Sequence, residues 1–368
     1  MHLLTAQAGG IEDGSQPVDL AQTPGDIVVL TSADTEIAGL AAAKARLGDT
    51  VPSVRLANLL QLTNNFSVDL YIEQTLSQAK LIVVRVLGGP GYWQYGLDEL
   101  SRLARGRDIK LAVISGAAYQ DANMQSYATL DQETCDRLWT YLVEGGAENF
   151  ENFLKFGCQV IGETADAPPP PAPLPKAGVF HAGAALPNPG ALREFWSDGA
   201  PVVAIVFYRA LLQGGDTAPI DAMAEALLAE GINPLPVYAS SLKDPVVAQQ
   251  VTDIFADAAV DAVINLTAFS ISKPADTWAG TPLDCAGAPV FQAILAGMTE
   301  AAWNENPRGL TARDIAMNVA LPEIDGRVLS RAISFKAERV YDGITETSLV
   351  RHVPQRDRIA FVARLVGG

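Results

Sequence analysis

The sequence predicts an α/β protein in which a proline-rich linker joins two domains, each built on a parallel sheet. The chain has 368 residues, which is more than a single hydrophobic core usually supports. In both halves, short apolar runs rich in β-branched residues alternate with helix-like patterns, and proline is concentrated near the middle. Near-continuous apolar strands that alternate with helices are typical of parallel sheets covered on both faces.

The first half predicts one set of alternating strands and helices, and we assign residues 1–164 to an N-terminal α/β domain. Its β-rich runs lie at residues 1–7, 26–32, 80–87 and 109–115. Its helix-like patterns lie at residues 34–47, 66–79, 94–105 and 131–161, the last of which predicts two helices. Each strand run is bounded by turn residues, as separate strands require.

Residues 165–176 form the predicted linker, because proline occupies half of these positions. Proline fixes φ and removes a backbone hydrogen-bond donor, so this segment predicts an extended polyproline spacer rather than a helix or a strand. It divides the chain near its middle.

The second half repeats the alternation, and residues 177–355 predict a second α/β domain. Its strand runs lie at residues 202–208, 233–238, 261–266 and 289–295, and its helical patterns at 217–230 and 245–257. Because crossovers between parallel strands are right-handed, both domains are predicted to be flavodoxin-like or Rossmann-like. Residues 356–368 begin an amphipathic pattern with Ile359, Val362 and Leu365 on one face, which predicts the start of a truncated helix.

The charge balance and the lack of targeting signals argue against nucleic acid and membranes as partners. The formal net charge is −16, with 42 acidic and 26 basic residues, and the sequence lacks the clustered Lys and Arg that nucleic-acid binding needs. The first residues do not predict a signal peptide, and no apolar run is long enough for a membrane helix. We therefore expect a cytoplasmic protein that binds neither nucleic acid nor a membrane.

Cysteine and histidine do not indicate a disulfide framework or a metal site. They are far apart in the sequence, at Cys135, Cys158, Cys285, His2, His181 and His352. Neither CxxC nor HxxxH spacing occurs, and no GxSxG motif is present. No catalytic residue and no metal ligand is assigned from the sequence.

A glycine-rich segment at residues 88–96 follows the strand at 80–87 and precedes a helix, where α/β folds place ligand loops. It matches neither the GxGxxG spacing nor a nucleotide P-loop. The segment exposes Tyr92 and Trp93 either as an aromatic platform for a flat ligand or as part of a packed loop.

A second candidate site lies where three strands of the second half end. Tyr208 and Arg209 end one strand, and Asp216 and Thr217 mark the start of the following helix. Because ligands in open α/β sheets bind beyond the carboxyl ends of strands, Arg209 is a candidate for holding a carboxylate. The alternative is that Asp216 and Thr217 only cap the helix.

Two further loops complete this predicted rim. Ser241 and Lys243 follow the next strand, with a simple capping loop as the alternative, and residues 269–273 follow the third. Glu323 and Asp325 offer oxygen ligands or a base, although flanking a turn is the favoured interpretation.

Several segments together resemble the CobN-type large subunits of aerobic cobaltochelatase, which are related to the large H subunit of magnesium chelatase. In chain order, they are residues 1–7, 22–26, 87–96, 207–209, 215–221, 234–237, 240–243, 321–327 and 332–336. The combination covers almost the whole chain. One departure is His181, where an aromatic residue is expected.

The resemblance implies the N-terminal part of a much longer subunit. Such a subunit binds a corrinoid, hydrogenobyrinic acid a,c-diamide, and inserts Co(II) as its substrate metal, while separate AAA+ partner subunits bind and hydrolyse ATP. The alternative is a non-catalytic docking or scaffold module of a chelatase complex. A ligand-binding protein of the periplasmic type also has two lobes, but the missing signal peptide disfavours it.

Overall fold

Strands and helices alternate through most of the chain in the computed structural model. The structure describes residues 17–117, 119–164, 166–181, 184–186, 188–272, 280–284, 286–337 and 340–368. These residues form two units. The N-terminal unit contains residues 17–174 and 340–350, and the C-terminal unit contains residues 175–337 and 351–368, with the gaps just given. The strand predicted at residues 1–7 lies outside the described residues.

The sheet of the N-terminal unit has four parallel strands in the order β2-β1-β3-β4. They are β1 (Ile27–Thr31), β2 (Val54–Asn58), β3 (Leu81–Val86) and β4 (Lys110–Ser115). The predictions of β1, β3 and β4 are confirmed. Strand β2 was not predicted because Arg55 interrupts its apolar run, yet Arg55 is buried and paired with Glu346 at 2.9 Å.

Five helices cover both faces of this sheet. They are α1 (Asp34–Leu47), α2 (Asn65–Gln74), α3 (Gln94–Arg107), α4 (Gln132–Glu144) and α5 (Ala147–Val160). Successive side chains of a strand point to opposite faces. Accordingly, Ile27 and Val29 of β1 pack with α1, α4 and α5, whereas Val28 and Leu30 pack with α2 and α3. Burial on both faces explains why these strands are almost entirely apolar.

The proline-rich segment is hydrogen-bonded to helices of the N-terminal unit over residues 168–174. The side chain of Asn149 donates to the carbonyl of Ala172 at 2.8 Å and accepts from its N–H at 2.9 Å. The N–H of Leu174 donates to the carboxylate of Glu144 at 2.9 Å. This part of the segment therefore lies on its own unit, and its role as a spacer between domains stays a prediction.

A two-stranded hairpin near the end of the chain belongs to the N-terminal unit. It consists of β12 (Val340–Asp342) and β13 (Thr347–Leu349). The carboxylate of Glu346 in its turn accepts hydrogen bonds from the N–H and hydroxyl of Thr23 at 2.6 and 2.7 Å. The sequence-based boundary placed these residues in the second domain. Local residue patterns do not reveal a contact between residues more than 300 positions apart, such as that of Thr23 with Glu346.

In the described part of the C-terminal unit, the sheet has eight strands in the order β14-β11-β10-β9-β7-β8-β5-β6. They are β5 (Ala177–His181), β6 (Ala184–Leu186), β7 (Val202–Tyr208), β8 (Asn233–Ala239), β9 (Ala262–Asn265), β10 (Val290–Thr299), β11 (Val328–Lys336) and β14 (His352–Pro354).

The prediction of a purely parallel second sheet is wrong at its edges. The five strands from β11 to β8 are parallel, whereas β14, β5 and β6 are antiparallel to their neighbours. Alternation of strands and helices predicts only parallel pairs. Strands β5 and β6 follow each other without a helix, and such short connections join antiparallel strands.

The helices of the C-terminal unit include the two that were predicted at 217–230 and 245–257. In the described ranges, the helices of this unit are α6 (Arg209–Gln213), α7 (Ala218–Ala229), α8 (Pro245–Ala258), α9 (Glu300–Glu305), α10 (Ala312–Ile315), α11 (Leu321–Glu323) and α12 (Arg356–Gly367). Helix α12 packs against α7 and β11 and buries Ile359 and Val362, but Leu365 is 41% exposed and does not share that face. Across the described ranges, no helix combines the length and the apolar character of a membrane span.

Candidate functional site

The carboxyl ends of β7 and β9 define the strongest site geometry in the C-terminal unit. The chain passes from β7 to β8 on one side, and β9 then pairs with the other side of β7. Strand order therefore reverses at β7. In open α/β sheets, ligands bind in the crevice outside the strand ends at such a reversal.

Tyr208 and Arg209 lie at this strand reversal, as predicted. The hydroxyl of Tyr208 donates to the carbonyl of Ala268 at 2.8 Å, which ties the end of β7 to the loop after β9. Burial raises the pKa of Tyr208. Arg209 begins α6 and is partly buried, and its positive charge opposes the rise that burial causes in the pKa of Tyr238 in β8. Arg209 thus follows the carboxyl end of β7 directly, and its charge acts on a residue of the neighbouring strand β8.

Ser241 and Lys243 lie in the loop that follows β8. The hydroxyl of Ser241 accepts from the N–H of Lys243 at 3.3 Å, and the side chain of Lys243 is exposed. Capping of α8 falls instead to Asp244, whose carboxylate accepts from the N–H of Val246 at 2.9 Å. The loop therefore caps α8 through Asp244, in agreement with the capping alternative, and leaves the side chain of Lys243 exposed. Lys273, at the end of the third predicted loop, lies outside the described residues.

Asp216 and Thr217 have structural partners and do not join this group. The carboxylate of Asp216 is buried and accepts from the N–H of His352 in β14 at 3.0 Å. Burial raises the pKa of Asp216. Thr217 donates through its hydroxyl to Asp221 at 3.0 Å and makes no side-chain cap on α7. Asp216 therefore makes a tertiary contact, whereas Thr217 occupies the N-cap position of α7 and its side chain bonds within the first turn of that helix.

Tyr92 and Trp93 lie in the N-terminal unit and face different environments. Trp93 is only 8% exposed, packs in the core, and donates through its indole nitrogen to the carbonyl of Leu62 at 2.7 Å. Tyr92 is 74% exposed, with its ring against Gly88. The two residues do not form one aromatic platform, and only Tyr92 is accessible to a ligand.

A buried polar network, which was not predicted, lies beside the end of β9. The amide of Asn265 donates to Gln292 of β10 at 2.7 Å, and Gln292 accepts from Arg327 at 2.9 Å. Arg327 also pairs with Asp325 at 2.7 Å. Burial lowers the pKa of Arg327, and the charge of Asp325 opposes this shift. Polar residues inside the apolar strand runs were the available signal, because buried polar groups require partners.

No metal site is built among the described residues. In those ranges, no three His, Cys, Asp or Glu side chains lie close enough to share a metal ion. The ring of His352 is hydrogen-bonded to the hydroxyl of Ser334 at 2.7 Å, and the ring of His181 stacks on Phe195 at a centroid distance of 4.5 Å. Cys285 lies outside the described residues.

We expect His352 to make the stability of the C-terminal unit dependent on pH. Burial lowers its pKa from 6.5 to about 4, and the charge of Lys336 acts in the same direction. Between these values the folded protein keeps His352 neutral while the unfolded chain binds a proton, so stability falls as the pH falls. The slope from this group is at most about 1.4 kcal/mol per pH unit. Urea unfolding at about pH 5 and about pH 7.5 measures it.

The variant His352→Asn isolates this contribution. Its side chain replaces the ring as a partner of Ser334, and its N–H still donates to Asp216. Asp216 acts in the opposite sense, because a raised carboxyl pKa favours the folded state as the pH falls. Asp216 is present in both proteins, so the difference in pH slope belongs to His352. Equal slopes would contradict the assignment.

Comparison with known proteins identifies relatives of this chain. A protein-family profile described as CobN/Magnesium Chelatase matches residues 139–368. The aerobic cobaltochelatase subunit CobN of Sinorhizobium sp is 43% identical over 373 aligned residues, which cover 99% of this chain. The subunit of the same name from Pseudomonas aeruginosa is 39% identical over 367 residues, again covering 99% of this chain.

A solved structure shows the same similarity. The catalytic subunit of cobaltochelatase from Mycobacterium tuberculosis superposes with a TM-score of 0.67 and 26% identity, covering 92% of this chain and 27% of that subunit. The chain spans 29% of the length of each of the two CobN relatives. Since the family profile matches more than half of its residues, the chain belongs to the CobN/magnesium chelatase family.

Proposed function

We propose that this chain is the N-terminal part of a cobalt-inserting chelatase subunit and contributes to binding its corrinoid substrate, hydrogenobyrinic acid a,c-diamide. In this proposal Co(II) is the substrate metal, and AAA+ partner subunits bind and hydrolyse ATP in the cytoplasm. The names of the relatives support the class of reaction.

The proposal rests on the positions of Arg209 and Lys243, which follow the carboxyl ends of neighbouring parallel strands in the second sheet. A corrinoid has peripheral carboxylates, which guanidinium and ammonium groups bind through charge-assisted hydrogen bonds. In a chain with a net charge of −16, local cations at a strand reversal provide a specific place for such an anion. The proposed contacts in the C-terminal unit are Tyr208, Arg209, Ser241 and Lys243, and Tyr92 is a separate candidate contact in the N-terminal unit. Trp93, Asp216 and Thr217 support the fold instead.

The proposed contacts do not account for chelation itself. A base must remove protons from the ring nitrogens, and oxygen or nitrogen ligands must deliver a dehydrated metal ion. We found no cluster of three metal-binding side chains in the described part of the chain. Because the chain spans 29% of the length of each of its two CobN relatives, we propose that it binds substrate on its own without inserting cobalt.

The second candidate function is a docking or scaffold module of a chelatase complex. The buried positions of Trp93 and Asp216 favour it, because two residues predicted to touch the substrate have structural partners. This candidate differs from the first in one measurable property, which is the affinity of the isolated chain for the corrinoid.

Titration of the 368-residue chain with hydrogenobyrinic acid a,c-diamide tests the proposal. We expect saturable binding that Arg209→Ala weakens by about tenfold or more, corresponding to about 1.4 kcal/mol for a lost charge-assisted contact. Arg356→Ala is the matched control, since this exposed arginine of α12 pairs with Glu225 at the surface, at 3.3 Å. Its affinity should stay within about twofold of wild type.

Two outcomes would contradict the proposal. If the wild-type chain shows no binding at high micromolar concentrations of the corrinoid, the scaffold function is favoured. If Arg209→Ala and Arg356→Ala bind the corrinoid with equal affinity, the carboxyl ends of the strands in the second sheet are not the binding site. Circular dichroism of each variant confirms that its fold is retained.

A further inference from the structure

The loop at residues 268–272, which we call the β9 loop, has an unusual backbone conformation that hydrogen bonds hold in place. Phe269 has a φ of +67°, a conformation that is costly for a residue with a side chain. Its N–H donates to the carbonyl of Met317 at 2.8 Å, in a short π-helical turn over residues 316–320. Both strained backbone and π-helical turns are concentrated at functional sites.

Asp325 fixes the second half of the β9 loop. Its carboxylate accepts the N–H of Ile271 at 2.7 Å, the N–H of Ser272 at 3.1 Å, and the hydroxyl of Ser272. Three donors on one buried carboxylate determine the direction of two consecutive peptide groups. Asp325 is therefore fully engaged and is not a free base or metal ligand.

Arg327 connects this carboxylate to the residue that precedes the loop. It pairs with Asp325 and donates to Gln292 at 2.9 Å, and Gln292 donates to the carbonyl of Thr267 at 3.0 Å. Arg327 and Asp325 have side chains only 1% exposed. The network thus holds the residue preceding the β9 loop as well as its end.

We propose that Asp325 and Arg327 are positioning residues that hold the β9 loop in the shape that the corrinoid contacts. The inference rests on the proposed function, because the loop meets Tyr208 at the same strand reversal. A buried ion pair is weak evidence for stability, since apolar residues often replace it without loss. Its distinctive effect is to fix geometry, and a preordered loop binds without the cost of being ordered.

The test compares Asp325→Asn with Glu323→Gln, an exposed carboxylate two residues earlier on the same turn. In Asp325→Asn, we expect hydrogen exchange at the amides of Ile271 and Ser272 to accelerate by about tenfold or more. Affinity for hydrogenobyrinic acid a,c-diamide should fall by about tenfold. The induced circular dichroism of the bound corrinoid should also change at saturation, because its orientation depends on the loop. Glu323→Gln should match wild type in all three measurements.

Ser272→Ala provides a milder variant in case Asp325→Asn does not fold. It keeps both backbone hydrogen bonds to Asp325 and removes only the one from the hydroxyl. We expect shifts of about two- to threefold in the same directions. A purely structural role predicts a lower stability with an unchanged dichroism signal of the bound corrinoid.

The results separate this inference from the proposed function. Unchanged exchange at the β9 loop in Asp325→Asn would overturn the positioning role, whether or not the corrinoid binds. Wild-type affinity and dichroism in that variant would overturn it as well. If the wild-type chain does not bind the corrinoid, the proposed function fails and the positioning role for that ligand fails with it.

Discussion

Replacing Arg85 with alanine is expected to destabilise the N-terminal unit by about 3–5 kcal/mol. Arg85 lies in β3 and forms a buried ion pair with Glu36 of α1, with side-chain exposures of 6% and 14%. It also donates to the carbonyl of Ser115 at 3.1 Å. Alanine would leave the carboxylate of Glu36 buried without its counter-ion, which is the costly half of breaking such a pair. Urea unfolding of the purified chain measures the loss.

The double variant Arg85→Met, Glu36→Leu is the control for this prediction. Removing both charges leaves no unpaired ion, so we expect a much smaller loss than for Arg85→Ala alone. The hydroxyl of Thr31, which donates to Glu36 at 2.7 Å, would lose this acceptor in the double variant. The double variant should therefore remain less stable than wild type. Equal destabilisation of the single and double variants would show that packing, and not the unpaired charge, determines the effect.

Replacing Phe150 with alanine is expected to cost about 3–5 kcal/mol, since a fully buried ring would leave a cavity. Phe150 lies in α5 and is 2% exposed. Its ring packs directly on Gly39 of α1, where a Cβ atom would overlap it. We therefore expect Gly39→Ala alone to cost about 1–3 kcal/mol through overpacking. Thermal and urea unfolding of both variants measure these losses.

The double variant tests whether the two residues act through one contact. In Gly39→Ala, Phe150→Ala the added methyl group occupies space that the ring has vacated, so the combined loss should be smaller than the sum of the single losses. Independent, additive losses would contradict direct packing of α1 on α5 at this point.

Much of the N-terminal sheet was predictable from residue patterns. Strands β1, β3 and β4 are apolar because helices cover both of their faces, and this burial leaves a continuous signal in the sequence. Strand β2 lacks that signal because Arg55 is buried through an ion pair with Glu346. A partner nearly 300 residues away cannot be read from local periodicity.

The candidate site was predicted in part. Tyr208 and Arg209 end a recognisable strand, and the rule that ligands bind at the carboxyl ends of strands locates them. Asp216 also follows the end of that strand, but its carboxylate accepts a hydrogen bond from the N–H of His352 in β14. Trp93 followed a glycine-rich turn, yet its indole nitrogen satisfies the carbonyl of Leu62. Which of these polar and aromatic side chains remains accessible depends on tertiary partners.

Residue patterns were enough to predict the alternating strands and helices, the strand ends that carry Tyr208 and Arg209, and the resemblance to chelatase large subunits. These features follow from local periodicity and from residue order along the chain. The mixed pairing of the second sheet and the hydrogen bonds of Asp325 to the β9 loop and of Arg327 to Gln292 became visible with the three-dimensional structure. Edge pairing and buried polar networks join residues distant in sequence, and their free energy depends on geometry that no local pattern contains.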